Sequence, residues 1–169
     1  MKTNRWMTLL CTSLLVLAAG ARADGARRLG VGVHYWTTVD DVSIDNVDED
    51  GVAWIASFQY WPTLVGVELA VESFESGFAG AGEEVYQPQA FVLVGGAIYG
   101  AAGIGGYYSD GEWSGDSFYV LRAGLNLELL PRLYLDINGN YRFEEWSEFE
   151  TADITTDTVT LGAAARLAF

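Results

Sequence analysis

Between Leu121 and Phe143 the chain reads LRAGLNLELLPRLYLDINGNYRF, and nearly every second position is apolar. Leu121, Ala123, Leu125, Leu127 and Leu129 fall on one side of an extended ribbon, with Arg122, Gly124, Asn126 and Glu128 on the other. Past Leu130, Pro131 and Arg132 the alternation resumes. Leu133, Leu135, Ile137, Gly139, Tyr141 and Phe143 share one face, and Tyr134, Asp136, Asn138, Asn140 and Arg142 share the other. A period of two is that of a β-strand. A three-residue loop at 130–132 pairs Leu129 with Leu133, a register that keeps the apolar face continuous across both strands.

The same alternation recurs in LGVGVHYWTT from Leu29, VAWIASFQYW from Val52, LVGVELAVESF from Leu64, a run from Val85 to Val94, AIYGAAGIGGYY from Ala97 and TVTLGAAARLAF from Thr158. No stretch after Asp24 carries a helical period. Eight strands result. Three connections are short, near Pro62, Gly95 and Pro131, and four are long, at 39–50, 76–84, 109–116 and 144–156. Short turns at one end and long loops at the other, with strands of about ten residues, predict an all-β fold: an eight-stranded antiparallel up-and-down transmembrane β-barrel.

Energy decides which face meets lipid. Arg on the outside of a barrel at the bilayer midplane costs roughly 2–4 kcal/mol. Turning the leucines inward places Arg122, Asn126, Asp136 and Asn138 in hydrocarbon, so the polar face points in. The competing arrangement is a soluble barrel or sandwich with the apolar face inside. Aromatics near strand ends oppose it: Tyr60 and Trp61 at a short turn, and Tyr35, Trp36, Trp54, Phe74, Tyr107, Tyr108, Tyr119, Tyr141 and Phe143 toward the long loops. They suggest girdles at two membrane interfaces.

The first 23 residues stand apart from this pattern. Lys2 and Arg5 precede the apolar run MTLLCTSLLVLAAG, and ARA ends at Ala23. Positive start, apolar centre and A-x-A-like site predict a secretory signal peptide over 1–23 and a barrel domain over 24–169. The one cysteine, Cys11, lies inside that signal after Leu10, which is too large for a lipoprotein site. The remaining chain therefore carries no disulfide or thiolate metal site. Removing Lys2, Arg5 and Arg22 leaves six arginines and no lysine against all 23 acids, a net charge of −17. Such a surface repels nucleic acid, whose binding needs cations on phosphates.

The signal, the hairpins FQYWPTLVGVEL and LNLELLPRLYLDINGNYRF, and a last strand ending in Phe169 resemble the small eight-stranded bacterial outer-membrane β-barrel family. The resemblance covers the whole chain after the signal and implies residence in the outer membrane of a Gram-negative cell envelope. In that family a terminal aromatic on an alternating last strand is the address read by the barrel-assembly machinery. Val159, Leu161, Ala163, Ala165, Leu167 and Phe169 match it. Its members include structural, adhesive, resistance-related and enzymatic proteins, so it leaves the role open.

An eight-stranded barrel is just wide enough to be filled by its own side chains. Glu68, Glu72, Arg122, Glu128, Asp136, Arg142 and Arg166 are the predicted lumen residues, read as an ion-pair network that plugs it. Counting from the short turns places Glu72 level with Arg122, and Glu68 level with Asp136, with Arg166 lower. Gly95, Gly96, Gly100, Gly103, Gly105 and Gly106 are not followed by the Gly-Lys-Ser/Thr of a phosphate loop. They are read as room for bulky side chains from the opposite wall, and the orientation of the two strands that hold them stays open.

His34, the sole histidine, lies in VHYWTT and faces inward. Lipid A deacylases carry a Ser two residues after their His; Trp36 stands there. His34 is therefore read as a lumen residue sharing a hydrogen bond, with no catalytic, cofactor or metal residue assigned. Eighteen of the 23 acids fall in or directly beside the four long loops, among them Asp40, Asp41, Asp45, Asp48, Glu49 and Asp50, and Glu144, Glu145, Glu148, Glu150, Asp153 and Asp157. They lack the Gly and terminal Glu of an EF-hand, so they support weak Ca²⁺ or Mg²⁺ association only. The expected surroundings are outer-membrane lipids and lipopolysaccharide. A structural or surface-interaction role is favoured; the alternatives are a small porin-like channel for cationic solutes and a lipid A-modifying enzyme centred on His34.

Overall fold

The computed structural model describes residues 26–38, 50–76, 78, 83–143 and 158–169. The signal segment and most of the acids of the first and last long loops lie outside them. Eight strands follow one another: β1 (Arg27–Thr38), β2 (Asp50–Tyr60), β3 (Val65–Phe74), β4 (Val85–Gly95), β5 (Ile98–Ser109), β6 (Glu112–Leu130), β7 (Leu133–Phe143) and β8 (Thr158–Ala168). Each pairs antiparallel with the next, and β8 pairs with β1 to close the barrel. Closure leaves no strand edge, the condition for a sheet to sit in hydrocarbon. At the seam, the Phe169 amide donates to the Arg27 carbonyl at 2.9 Å.

Following partners around the wall from Arg28 leads through Gln59, Glu68, Phe91, Gly103, Val120, Arg142 and Thr158 to Thr38. The circuit closes on Thr38 rather than on Arg28, a shear of ten residues. With eight strands this stagger tilts each by about 40° to the barrel axis.

The alternation falls as the energy argument requires. Val31, Val52, Val67, Leu69, Val92, Ile104, Leu125, Ile137 and Leu161 are exposed on the outside, while Gln59, Glu68, Glu72, Arg122, Asp136, Asn140 and Arg166 are buried within. The two glycine-rich strands, whose orientation the sequence leaves open, turn Gln87, Gln89, Phe91 and Leu93 of β4 and Tyr99 of β5 inward. A Cβ on Gly103 would run into the Phe91 ring, and one on Gly105 into the Phe118 ring. These two positions stay bare because large rings occupy the bore. The β4–β5 ladder lapses between Tyr86↔Tyr108 and Gln89↔Gly105, where Pro88 has no N–H to give.

Three expectations change. The loop expected at 109–116 is mostly strand: β5 and β6 continue outward to a two-residue turn, Asp110–Gly111, with φ of 51° and 83°. Asp-Gly is the pair that tolerates positive φ at both positions of a hairpin turn. At the β6–β7 turn Leu130, not Leu129, faces Leu133, because β6 bulges by one residue after Glu128 and only Pro131 and Arg132 turn; the remaining register, such as Leu127↔Leu135, is as expected. Third, the aromatics at the strand ends do not all form girdles. Tyr35, Trp54, Tyr60 and Trp113 are exposed outward, but Trp36, Trp61 and Phe74 are buried inside. Nearness to a strand end cannot replace parity as a guide to which way a ring points.

The outer face makes a direct prediction. Leu69 sits mid-strand on the outside, 55% exposed. Leu69→Arg should lower the free energy of folding into vesicles by roughly 2–4 kcal/mol, measured by denaturant titration, while a soluble barrel would register almost no change.

Candidate functional site

The inside of the barrel is the candidate site, and its charges group around three carboxylates. Glu68 accepts from Arg122 through Oε2 and from Arg166 through Oε1, both at 3.1 Å, and also from Gln59 at 3.0 Å. Arg166 reaches on through Nε to Asp136 at 3.2 Å and through Nη1 to the Ser57 hydroxyl. Asp136 also accepts from Tyr99 at 2.9 Å and from Asn138 at 2.7 Å. Arg122 donates through Nε to Asn140, which donates to Asn138 and Thr160. Nearer the long loops, Glu72 is bound by Arg142 at 3.0 Å and by His34 Nδ1 at 2.6 Å.

These contacts span opposite walls, since β3, β6, β7 and β8 all contribute. Breaking a buried pair by removing one partner typically costs 3–5 kcal/mol, because the other charge is left uncompensated. Two arginines are further held by rings: Arg122 lies over Phe91 at 4.0 Å, and Arg142 over Phe118 at 4.6 Å.

Aromatic side chains cluster toward both ends of the bore. Toward the long loops Trp36 packs edge-on against Phe74 and Phe78, with centroids 6.2 and 4.8 Å apart. At the short-turn end Trp61 packs edge-on against Tyr99 at 5.4 Å. Outside the bore Glu84 accepts from Ser73 and Tyr86, tying together the outer ends of β3 and β4.

The structure thus brings together six of the seven predicted lumen residues: Glu68, Glu72, Arg122, Asp136, Arg142 and Arg166. Glu128 does not join them. It is exposed at the short-turn mouth and accepts from the Arg132 amide at 3.3 Å. One expected level shifts, since Glu72 pairs with Arg142 rather than Arg122, while Arg166, set opposite Tyr134 below Asp136 as expected, reaches up to both Asp136 and Glu68. Counting from the turns treats strands as upright, whereas a shear of ten carries neighbouring positions up and down the axis. Sequence reasoning placed Asn138 and Asn140 inward without naming them in the network, and missed Ser57, Gln59, Tyr99 and Thr160. Inward parity applied to every polar residue would have found Ser57, Gln59 and Thr160, but not Tyr99, whose strand could face either way.

His34 is fully buried, and a Cβ on Gly162 would run into its ring. Its Nδ1 meets Glu72, while Nε2 has no hydrogen-bond partner. It therefore has the carboxylate half of a hydrolytic arrangement, with no hydroxyl on the other ring nitrogen among the described residues. Among the described residues no group of three or more His, Cys, Asp or Glu side chains converges as a metal site.

No family model matches the chain, and no curated protein matches it. Solved structures do. Neisserial surface protein A, NspA, superposes with a TM-score of 0.58 at 12% identity, covering 88% of this chain and 100% of that one. Ail of Yersinia pestis aligns at 0.46 with 16% identity over 83% of this chain and 97% of its own, and OprG of Pseudomonas aeruginosa at 0.46 with 13% identity over 88% and 95%. The fold is that of the small eight-stranded bacterial outer-membrane barrels. A closed barrel of that fold, apolar outside and charged within, is a protein of the outer membrane.

Arg122→Ala should lower stability by about 3–5 kcal/mol, whereas Glu128→Ala, outside the network, should change it by less than about 0.5 kcal/mol. Thermal and denaturant midpoints of the two variants, compared side by side in one detergent, check both.

Proposed function

We propose that this protein is a non-enzymatic, non-conducting outer-membrane barrel that displays acidic loops on the cell surface, in a structural or surface-interaction role. One observation carries the reading: large side chains from opposite walls meet in ion pairs across the bore, with aromatic clusters toward both ends. A permeation path needs a continuous aqueous gap, and barrels that have one use more strands. Protein of this kind acts through its surface rather than its bore.

That surface is the acidic rim. Eighteen carboxylates attract divalent cations, and the same cations bridge lipopolysaccharide phosphates, so the rim and the surrounding lipopolysaccharide share a counter-ion layer. Phe169 serves as the assembly address on the last strand. His34 acts as a hydrogen-bonded wedge beneath the outer aromatic cluster and not as a base.

Planar-bilayer recording of the purified protein tests the reading. It should show no current steps above those of the bare bilayer, for wild type and for Arg122→Ala alike. Discrete cation-selective steps in wild type would replace this function with a channel. His34→Ala, once assembled, should leave the lipid A mass profile of producing cells unchanged; a lost modification would establish the enzyme.

A further inference from the structure

Six arginines follow the expected signal, and the three in the bore other than Arg28, namely Arg122, Arg142 and Arg166, each bind a carboxylate. Arg28, at the short-turn end of β1, has no carboxylate at ion-pair distance among the described residues. Two aromatic rings hold it instead: its guanidinium carbon lies 4.0 Å from the Tyr134 ring centre and 5.4 Å from that of Trp61. Rings position a cation without neutralising it or using its N–H groups in the ring plane. Nε and Nη1 of Arg28 have no hydrogen-bond partner in the protein.

Beside this cation is a pocket of about 340 Å³, lined by Arg28, Trp61, Thr63, Asn126, Glu128 and Tyr134 together with the Gly96–Ala97 turn. Two more polar atoms of the lining residues are buried and unpartnered, the indole Nε1 of Trp61 and Oδ1 of Asn126. Their side chains belong to the most enclosed residues of the mouth, at 6% and 7% exposure. Burying such groups without partners is costly, so several of them on residues that line one pocket mark a place where partners come from elsewhere. Glu128, which also lines the pocket, accepts from the Arg132 amide and makes no ion pair with Arg28.

We propose that this pocket binds a phosphate group bearing a neighbouring amine, entering from the short-turn side. The planar guanidinium and the indole N–H offer donors to a tetrahedral oxyanion, the geometry for which arginine is suited. Asn126 Oδ1 and the Glu128 carboxylate accept from the amine. Opposite charges lining one pocket, rather than joined in an ion pair, fit a zwitterion better than a simple anion. The group comes from the headgroup of an inner-leaflet lipid or from a soluble phosphoethanolamine-like compound. Short turns face the periplasm in barrels of this topology, so both sources reach this mouth.

The test uses the full-length barrel folded in a phosphate-free detergent. O-phosphoethanolamine, and separately a short-chain phosphatidylethanolamine, are titrated while the indole N–H resonance of Trp61 is followed, assigned by its absence from Trp61→Phe. A saturable shift with both probes assigns a headgroup or free-solute site, and a shift with the lipid alone assigns the lipid. In either case Arg28→Gln should weaken binding about tenfold or more, with Arg28→Lys between it and wild type. Heat-modifiable migration establishes that each variant is folded. Should Arg28→Gln fail to fold, the wild-type titration decides alone. No saturable shift with either probe overturns the proposal, as does undiminished affinity in folded Arg28→Gln.

Discussion

Charges that have left water must find each other. In hydrocarbon a charged side chain on the wall has one inexpensive direction to point, and an eight-stranded wall is too narrow to let many of them remain hydrated inside. The bore of this barrel is the consequence. Glu68 sits between Arg122 and Arg166, Arg166 continues to Asp136, and Glu72 gathers Arg142 and His34. Each link joins different strands, so the network also staples the wall across its diameter, which sequential β-ladders alone do not do.

The same constraint orders the rest of the structure. Bulky inward groups demand bare positions opposite, and Gly103, Gly105 and Gly162 provide them against Phe91, Phe118 and His34. The ion pairs are buried among these groups, where a lower local dielectric strengthens them. Among the described residues, the carboxylates inside the barrel, Glu68, Glu72 and Asp136, are each met by a basic side chain.

Much of this was legible in the amino-acid order because a two-residue period is unambiguous where Leu alternates with Arg, Asn or Asp, as in Leu121–Phe143. There the strand, its register up to Leu127↔Leu135 and its inward face could be read directly. Legibility failed where the chemistry was two-faced. Ala and Gly suit lipid and lumen equally, so β4 and β5 needed their packed rings to define a direction. Trp36, Trp61 and Phe74 read as interface anchors because an aromatic ring near a strand end is at home on either side of the wall. The Asp110–Gly111 turn was written plainly, yet flanking Ser, Trp and Glu masked the strands it joins. The pairing of charges was beyond reach for another reason: it depends on shear, a property of the closed circuit that no single hairpin carries.

The claim beneath all of this is that lipid wraps one face of the wall and side chains fill the other. Trp54 and Trp36 stand near the same height on neighbouring strands, Trp54 outward and Trp36 inward. The decisive measurement is the fluorescence of single-tryptophan variants, each retaining one of these two, folded into vesicles whose acyl chains carry bromine near the headgroup. Strong quenching of Trp54 with Trp36 largely spared is the predicted result; equal quenching of both, or protection of Trp54, would contradict it.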